Sequence, residues 1–316
     1  MRRVALIYNP ASGQSFWRRN SSIEQMTAIL RGAGIEAETL QTVGPGSARA
    51  LAHEAVERGC DTVLACGGDG TVHEVLQSLV GTDAALGVVP LGTANALAAD
   101  LGLNSSPQKA IRKLLAAEPV RIPVGRISYC NRDGEARTRY FTVAAGVGAD
   151  AFFLSRLDAG LKRRFGYLVY LVEAFRVWAT HSFPLFDAIV HGPAGSEPRT
   201  LELSQLLAVR IRDFGGVLHK LAPGATLRGD RLCLLAFRTR SRFDYWRFLL
   251  AVIFRRQTFT RRIELLTADS VECRTREDAG TRIFTEADGE LLGDLPMRID
   301  VVPDGVYLLI PPSARL

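Results

Sequence analysis

The sequence predicts two domains of different class: an α/β domain whose parallel sheet is flanked by helices, then a mainly β-sandwich domain. Three observations carry this. Short apolar runs alternate with helical patterns over about the first hundred residues. Past Pro119–Pro123 strand patterns dominate, and the 316 residues exceed the ~100–200 of one ordinary domain. The boundary is expected near residue 120, giving domains 1–120 and 121–316, with the last strands able to pack on either.

Val4–Tyr8 reads as a buried strand ending at the turn Asn9-Pro10-Ala11-Ser12-Gly13. Ile23–Leu30 has helical periodicity and stops at Gly32 and Gly34. Glu36–Thr42 alternates like a strand, and Ala48–Glu57 reads as a helix. Thr62–Cys66 is a buried strand running into Gly67-Gly68-Asp69-Gly70, after which Val72–Val80 is helical. Leu86–Val89 is a fourth strand, followed by a glycine-bearing turn and a helix around Asn95–Ala99. Strand alternating with helix implies a parallel sheet covered on both faces.

In the second domain strands are expected at Val124–Ser128, Arg139–Val143, Asp187–Val190, Ser204–Arg210 and Leu232–Phe237. More follow at Arg262–Leu266, Ser270–Arg274, Thr281–Glu286, Arg298–Val302 and Val306–Ile310. Helical patterns interrupt them at Ala151–Thr180 and Phe243–Arg255.

Composition narrows the function classes. The net charge of +6 is carried almost wholly by arginine and draws anionic partners: nucleotides, nucleic acid or an anionic membrane. No RNP-like, helix-turn-helix or zinc-finger pattern appears, so nucleic acid is not expected. The five cysteines lack CxxC and Cys/His spacing, which argues against zinc and disulfides and fits a reducing cytoplasm. No apolar run reaches the ~18–20 residues of a membrane span. The apolar stretch after Arg2 and Arg3 is shorter than the roughly 7–15 residues of a signal core.

The chemistry concentrates in turns. Gly67-Gly68-Asp69-Gly70-Thr71 lies between a buried strand and a helix, where absent Cβ atoms let backbone approach a phosphate. Pro90-Leu91-Gly92-Thr93-Ala94-Asn95 repeats that placement, and Asn9–Gly13 is a third such turn. In a parallel sheet all three fall on the carboxyl edge, where open α/β sheets bind ligands. Taken singly, each turn is more often structural than functional. Asp69 is the one carboxylate in the glycine loop, a candidate for orienting magnesium. Asp288-Gly289-Glu290 sets two carboxylates beside a glycine, a pattern that is also an ordinary acidic β-turn.

NPASG, GGDGTVHEVLQ and PLGTANALA, in this order and spacing, resemble the catalytic domain of the diacylglycerol, sphingosine and ceramide kinase superfamily. GVGADA at Gly146–Ala151, PGATLRGD at Pro223–Asp230 and the Asp288–Glu290 triplet extend the resemblance to nearly the whole chain, most like the bacterial soluble lipid kinases. GGDG alone is shared with NAD kinases and 6-phosphofructokinases. The resemblance implies an NAD-kinase-like two-domain fold with the active site in the interdomain cleft. It implies an ATP site formed by Asn9, Ser12, Thr42, Gly67, Gly68 and Asp69, continued by Gly70, Thr71, Val72 and His73, with Thr93 and Asn95. Glu290 matches the proton acceptor, with Asp288 its catalytic neighbour; the two are open to exchange of roles. Mg²⁺ accompanies the nucleotide. A second, structural Mg²⁺ is implied at Asp230 with the backbone carbonyls of Leu227 and Leu232, although Arg231 stands where glycine is common. His73 replaces a common asparagine, and Ala11 and Gln14 replace lysines near the first turn, leaving Arg18 or Arg19 to supply charge.

The expected activity is transfer of the γ-phosphate of ATP to a lipid hydroxyl, with diacylglycerol giving phosphatidic acid as the first choice. Sphingoid, ceramide-type or other lipids, an NAD-kinase-like soluble acceptor and a non-catalytic nucleotide-binding regulator are the alternatives. Two segments interleave basic residues with aromatics: Arg238–Arg262, and Lys162–Arg164 with the helix holding Phe165, Tyr167, Tyr170, Phe175 and Trp178. Such helices either lie in a membrane interface or pack in a core with a solvated arginine face. A cytoplasmic protein in reversible contact with a membrane surface is expected. Its oligomeric state, a homodimer included, is left open.

Overall fold

The computed structural model describes residues 1–10, 12, 16–131, 133–149, 151–152, 180–215, 220–256, 259–276 and 282–314, with backbone alone for 16–20. The first part alternates β1 (Arg3–Tyr8), α1 (Phe16–Gly32), β2 (Glu36–Gln41), α2 (Ser47–Glu57), β3 (Thr62–Gly67), α3 (Asp69–Leu79) and β4 (Ala85–Pro90). Helices α4 (Ala96–Asp100) and α5 (Pro107–Leu115) follow. Strands β1–β4 are parallel in the order β2-β1-β3-β4. Every residue of β3 and β4 is buried, so both faces are covered, as parallel sheets require. Helix α1 packs on α5, and α2 on α3.

Helix α5 is absent from the elements expected above. Its signals are local: Ser106 stands at the N-cap, Pro107 follows, and Ala110, Ile111 and Leu114 form the buried stripe. Helix α3 begins inside the glycine loop, at Asp69, three residues earlier than the apolar pattern indicates.

The second part contains β5 (Glu118–Cys130), β6 (Ala136–Phe141), β7 (Ala144–Gly148), β8 (Phe186–His191), β9 (Arg199–Leu203), β10 (Gln205–Val209) and β11 (Leu232–Phe237). After helix α6 (Arg242–Ile253) come β12 (Ile263–Ala268), β13 (Ser270–Thr275), β14 (Phe284–Ala287) and β15 (Glu290–Ile310). One sheet runs β12-β11-β10-β7-β14-β15, the other β6-β5-β15-β13-β8-β9. Between them lies a core that includes Phe141, Val147, Phe186, Leu206, Leu234 and Ile299. This is the expected β-sandwich, with β7 and β9 added. Of the expected helix Ala151–Thr180, residues 153–179 lie outside the described residues.

Two expected strands, Arg298–Val302 and Val306–Ile310, are one. Strand β15 runs through Pro303, Asp304 and Gly305, with a register shift between Val302 and Val306 and Asp304 at φ 48°. Its end joins the first sheet: Tyr307 and Leu308 pair in parallel with Ala85 and Leu86. The last strand therefore serves both halves. Strand β5 carries Pro119 and Pro123 on the stretch that pairs with β15 alone, where a missing N–H is tolerated.

Candidate active site

The carboxyl ends of β1, β3 and β4 bring the three turns together. Asn9 N–H donates to the Cys66 carbonyl (3.3 Å), while Leu91 and Gly92 N–H donate to the Gly67 carbonyl (2.9 and 3.2 Å). Thr42, just past β2, joins the same edge by donating its N–H to the Tyr8 carbonyl (3.0 Å), and its side chain is buried. Ser12 N–H bonds the Asn9 carbonyl (3.2 Å), which folds the first turn back on itself.

The Gly67–Thr71 and Pro90–Asn95 turns are locked to each other. Both Asp69 oxygens accept backbone N–H groups from the far turn: Oδ2 from Asn95 (3.0 Å) and Oδ1 from Ala96 (2.7 Å). Asp69 thus caps α4 as well as opening α3. Burial pushes its carboxyl up from the usual carboxylate range, against those two N–H bonds, and the Asp288 charge adds to the rise. Asn95 adopts the left-handed conformation (φ 53°) and bonds Gly92 at both its N–H and its carbonyl (3.0 and 2.8 Å). Its side chain builds the turn, whereas Thr93 is exposed at the tip.

The opposite wall comes from the β14–β15 hairpin. Its two-residue turn, Asp288-Gly289, has both residues at positive φ (49° and 83°), the twist that suits a tight hairpin. Asp288 is 6% exposed and accepts three backbone N–H groups, from Thr142 (3.0 Å), Val143 (2.8 Å) and Ala144 (3.1 Å). His73 Nδ1 stands 3.5 Å from Asp288 Oδ2, beyond a strong hydrogen bond. Glu290 differs: it is exposed, and its Oε1 lies 2.6 Å from where a Cβ on Gly70 would sit. The glycine loop and the acidic triplet, some 220 residues apart in sequence, therefore meet at the first turn of α3. Of the two carboxylates, Asp288 is engaged in holding β7 and Glu290 is presented outward.

Four polar residues that the sequence reading passes over hold this arrangement. Glu286 accepts from Gly289 N–H (2.9 Å) inside the hairpin. Glu74 accepts from Gly46 (2.7 Å) and Ala48 (3.0 Å), tying α3 to the segment after Thr42. Gln77 bonds both backbone groups of Tyr140, joining α3 to β6. Asp100 accepts from Arg212 and Asp213 (3.0 and 2.9 Å), and burial pushes its carboxyl up against those bonds. Glu74 and Gln77 lie within the quoted motif GGDGTVHEVLQ, at i and i+3 on α3, which was the available signal. Val72 is buried core, and Thr71 fills the space beside Gly67.

Among the described residues no group of three or more His, Cys, Asp or Glu side chains is placed to hold a metal ion. A nucleotide-borne Mg²⁺ needs less, because the phosphates supply most of its oxygens and one or two carboxylates suffice. Asp69, which opens α3 within the glycine loop, is a carboxylate of that kind. The 227–232 turn fits a resident ion poorly. The Leu227 carbonyl already accepts from Arg210 Nη2 (3.2 Å), and the Asp230 side chain is exposed. Arg18 and Arg19 have side chains outside the described residues.

Known proteins share this layout. Residues 3–127 match the diacylglycerol kinase catalytic domain, and residues 142–310 match the YegS C-terminal NAD kinase beta sandwich-like domain. A diacylglycerol kinase of Bacillus subtilis (strain 168) is 28% identical over 298 residues, covering 94% of this chain and 92% of that protein. The crystal structure of a diacylglycerol kinase from Bacillus anthracis superposes with a TM-score of 0.71 at 16% identity, covering 99% and 98% of the two chains. Yeast NADH kinase complexed with NADH gives 0.53 at 10% identity, covering 98% and 83%. At such identities the two structures show a common fold.

Proposed function

We propose that this chain, which belongs to the diacylglycerol kinase catalytic-domain family of lipid kinases, transfers the γ-phosphate of ATP to a lipid hydroxyl, with diacylglycerol the preferred acceptor. The observation that carries the reading is the Glu290 carboxylate set over Gly70 at the start of α3. A phosphate cradled by the Gly67–Thr71 loop meets the positive end of that helix. Glu290 then takes the proton as the lipid oxygen bonds to phosphorus and the bond to the ADP oxygen breaks. Mg²⁺ bound with the nucleotide would supply neutralisation of the phosphate charge. Asp69 would help hold that ion at the start of α3, while its own oxygens keep the Asn95–Ala96 turn in place. Asp288 keeps Glu290 in place by anchoring the hairpin to β7. Thr42 and Thr93 line the nucleotide side with Asn9 and Ser12.

The test is transfer of ³²P from ATP with Mg²⁺ to diacylglycerol, sphingosine, ceramide and, separately, NAD, using the native chain and Glu290→Gln. Phosphatidic acid is expected, with the rate down about 10²–10⁴-fold in the variant and ATP binding retained. Phosphorylation of NAD without any lipid product would replace the lipid acceptor by a soluble one. ATP binding without any product would leave a regulatory nucleotide-binding role.

The acceptor has to be met at a bilayer, and α6 suits that surface. Phe243 and Phe254 are 71% and 69% exposed, with Trp246, Leu249 and Ile253 also exposed. Arg247, Arg255, Arg256 and Arg261, on and just after the helix, are exposed as well. Apolar anchors within a basic rim favour an anionic lipid surface. No helix among the described residues is long and apolar enough to cross a membrane. The other basic-aromatic segment, Lys162–Trp178, lies outside the described residues.

A further inference from the structure

Arg210 is the largest fully buried side chain among the described residues, at 1% exposure. It follows β10, and its N–H donates to the Val143 carbonyl (2.9 Å). Its Nη2 meets three backbone carbonyls from two separate stretches: Pro123 (2.9 Å), Gly229 (2.9 Å) and Leu227 (3.2 Å). Carbonyl oxygens converging in a dry interior repel one another unless a cation sits between them. We infer that Arg210 is that cation: its guanidinium stands in for the structural divalent ion implied at the 227–232 turn, and this chain holds the turn without a metal.

Three further observations agree. The Leu227 carbonyl, one of the implied ligands, already accepts from Nη2. A Mg²⁺ ion bonded to it at the usual ~2.1 Å would lie within a few ångströms of a buried guanidinium, and the two charges would repel with little screening. Asp230, the implied carboxylate, is exposed rather than turned into a closed cage. Arg231, the departure visible in sequence, points elsewhere: its Nε pairs with Asp269 (3.2 Å). Burial lowers the guanidinium pKa to about 10, and the Asp288 charge acts against that fall. The cation of this turn is therefore covalently part of the chain.

The test is thermal unfolding of the full chain without nucleotide or lipid, in millimolar MgCl₂ and in EDTA, for the native chain, Asp230→Asn and Arg210→Ala. It uses no substrate, so it stands apart from the kinase reading. The native chain and Asp230→Asn are expected to melt within about 1 °C of each other in both solutions. A bound structural ion at saturation would instead raise Tm by roughly 5 °C or more. Arg210→Ala is expected to melt lower and to regain part of the loss in MgCl₂, as the ion enters the emptied carbonyl cluster. A Mg²⁺-dependent rise in the native chain that Asp230→Asn abolishes would overturn the inference. A rise that Asp230→Asn leaves intact assigns the ion to another site and supports it. Should Arg210→Ala fail to fold, the native chain and Asp230→Asn still decide.

Discussion

The absence of one carbon atom at residue 70 sets how near the Glu290 carboxylate comes to the start of α3. Gly70 has no positive φ, so alanine fits its backbone, and the clash falls on the far end of a flexible side chain. Gly70→Ala should therefore fold normally and displace Glu290, lowering kcat/KM about 10²-fold, the usual cost of an ångström of misplacement. Native-like melting with native-like turnover would show that Glu290 does not act from this position. Glycines and carboxylates in turns are legible in sequence because few core residues belong there. The bonds from Asp69 to Asn95 and Ala96 were not, since nothing local tells a carboxylate which distant amide it will cap. Nor does anything beside Arg210 mark it as buried, because its carbonyl partners lie far off in sequence, on β5 and in the 227–229 turn.

At the scale of elements, helix α6 begins in a conventional way, with Ser241 accepting from Asp244 N–H. It departs in what it leaves outside. Phe248 and Val252 pack inward while Phe243, Trp246, Ile253 and Phe254 face out. Replacing Phe243, Trp246 and Phe254 together by serine should weaken binding to anionic vesicles by about tenfold or more, with melting unchanged. Equal co-sedimentation of variant and native chain would remove α6 as the membrane contact. Elements with strong periods were read correctly, β11 to the residue. Strand β7 was missed because Ala144–Gly148 is nearly all small residues and offers neither β-branched enrichment nor alternation. The break expected between residues 302 and 306 failed for another reason. A Pro-Asp-Gly stretch reads as a turn, but pairing with β5 on both sides carries the strand through it.

Across the whole molecule, acid stability should hinge partly on a buried imidazole. His181 is 6% exposed, between the rings of Phe152 (4.4 Å) and Phe183 (5.0 Å). Burial, helped by the Arg242 charge, brings its pKa from 6.5 down to about 4. The unfolded chain then binds a proton that the folded chain refuses, so stability falls as the pH drops from about 6.5 to about 4. The loss is at most roughly 3 kcal/mol. Urea unfolding at several pH values should show this slope in the native chain and a flatter one in His181→Phe; equal slopes would assign it to other groups. The two-domain plan was legible because strand–helix alternation and strand-only stretches are different patterns, whereas the return of β15 to β4 depends on contacts over 200 residues apart. That return also fixes the order of events during synthesis. The α/β half leaves the ribosome first, yet β4 keeps a bare edge until β15 emerges. The strand that covers this edge starts at Glu290, so the chain gains Glu290 and the partner that closes its first sheet in a single stretch of synthesis.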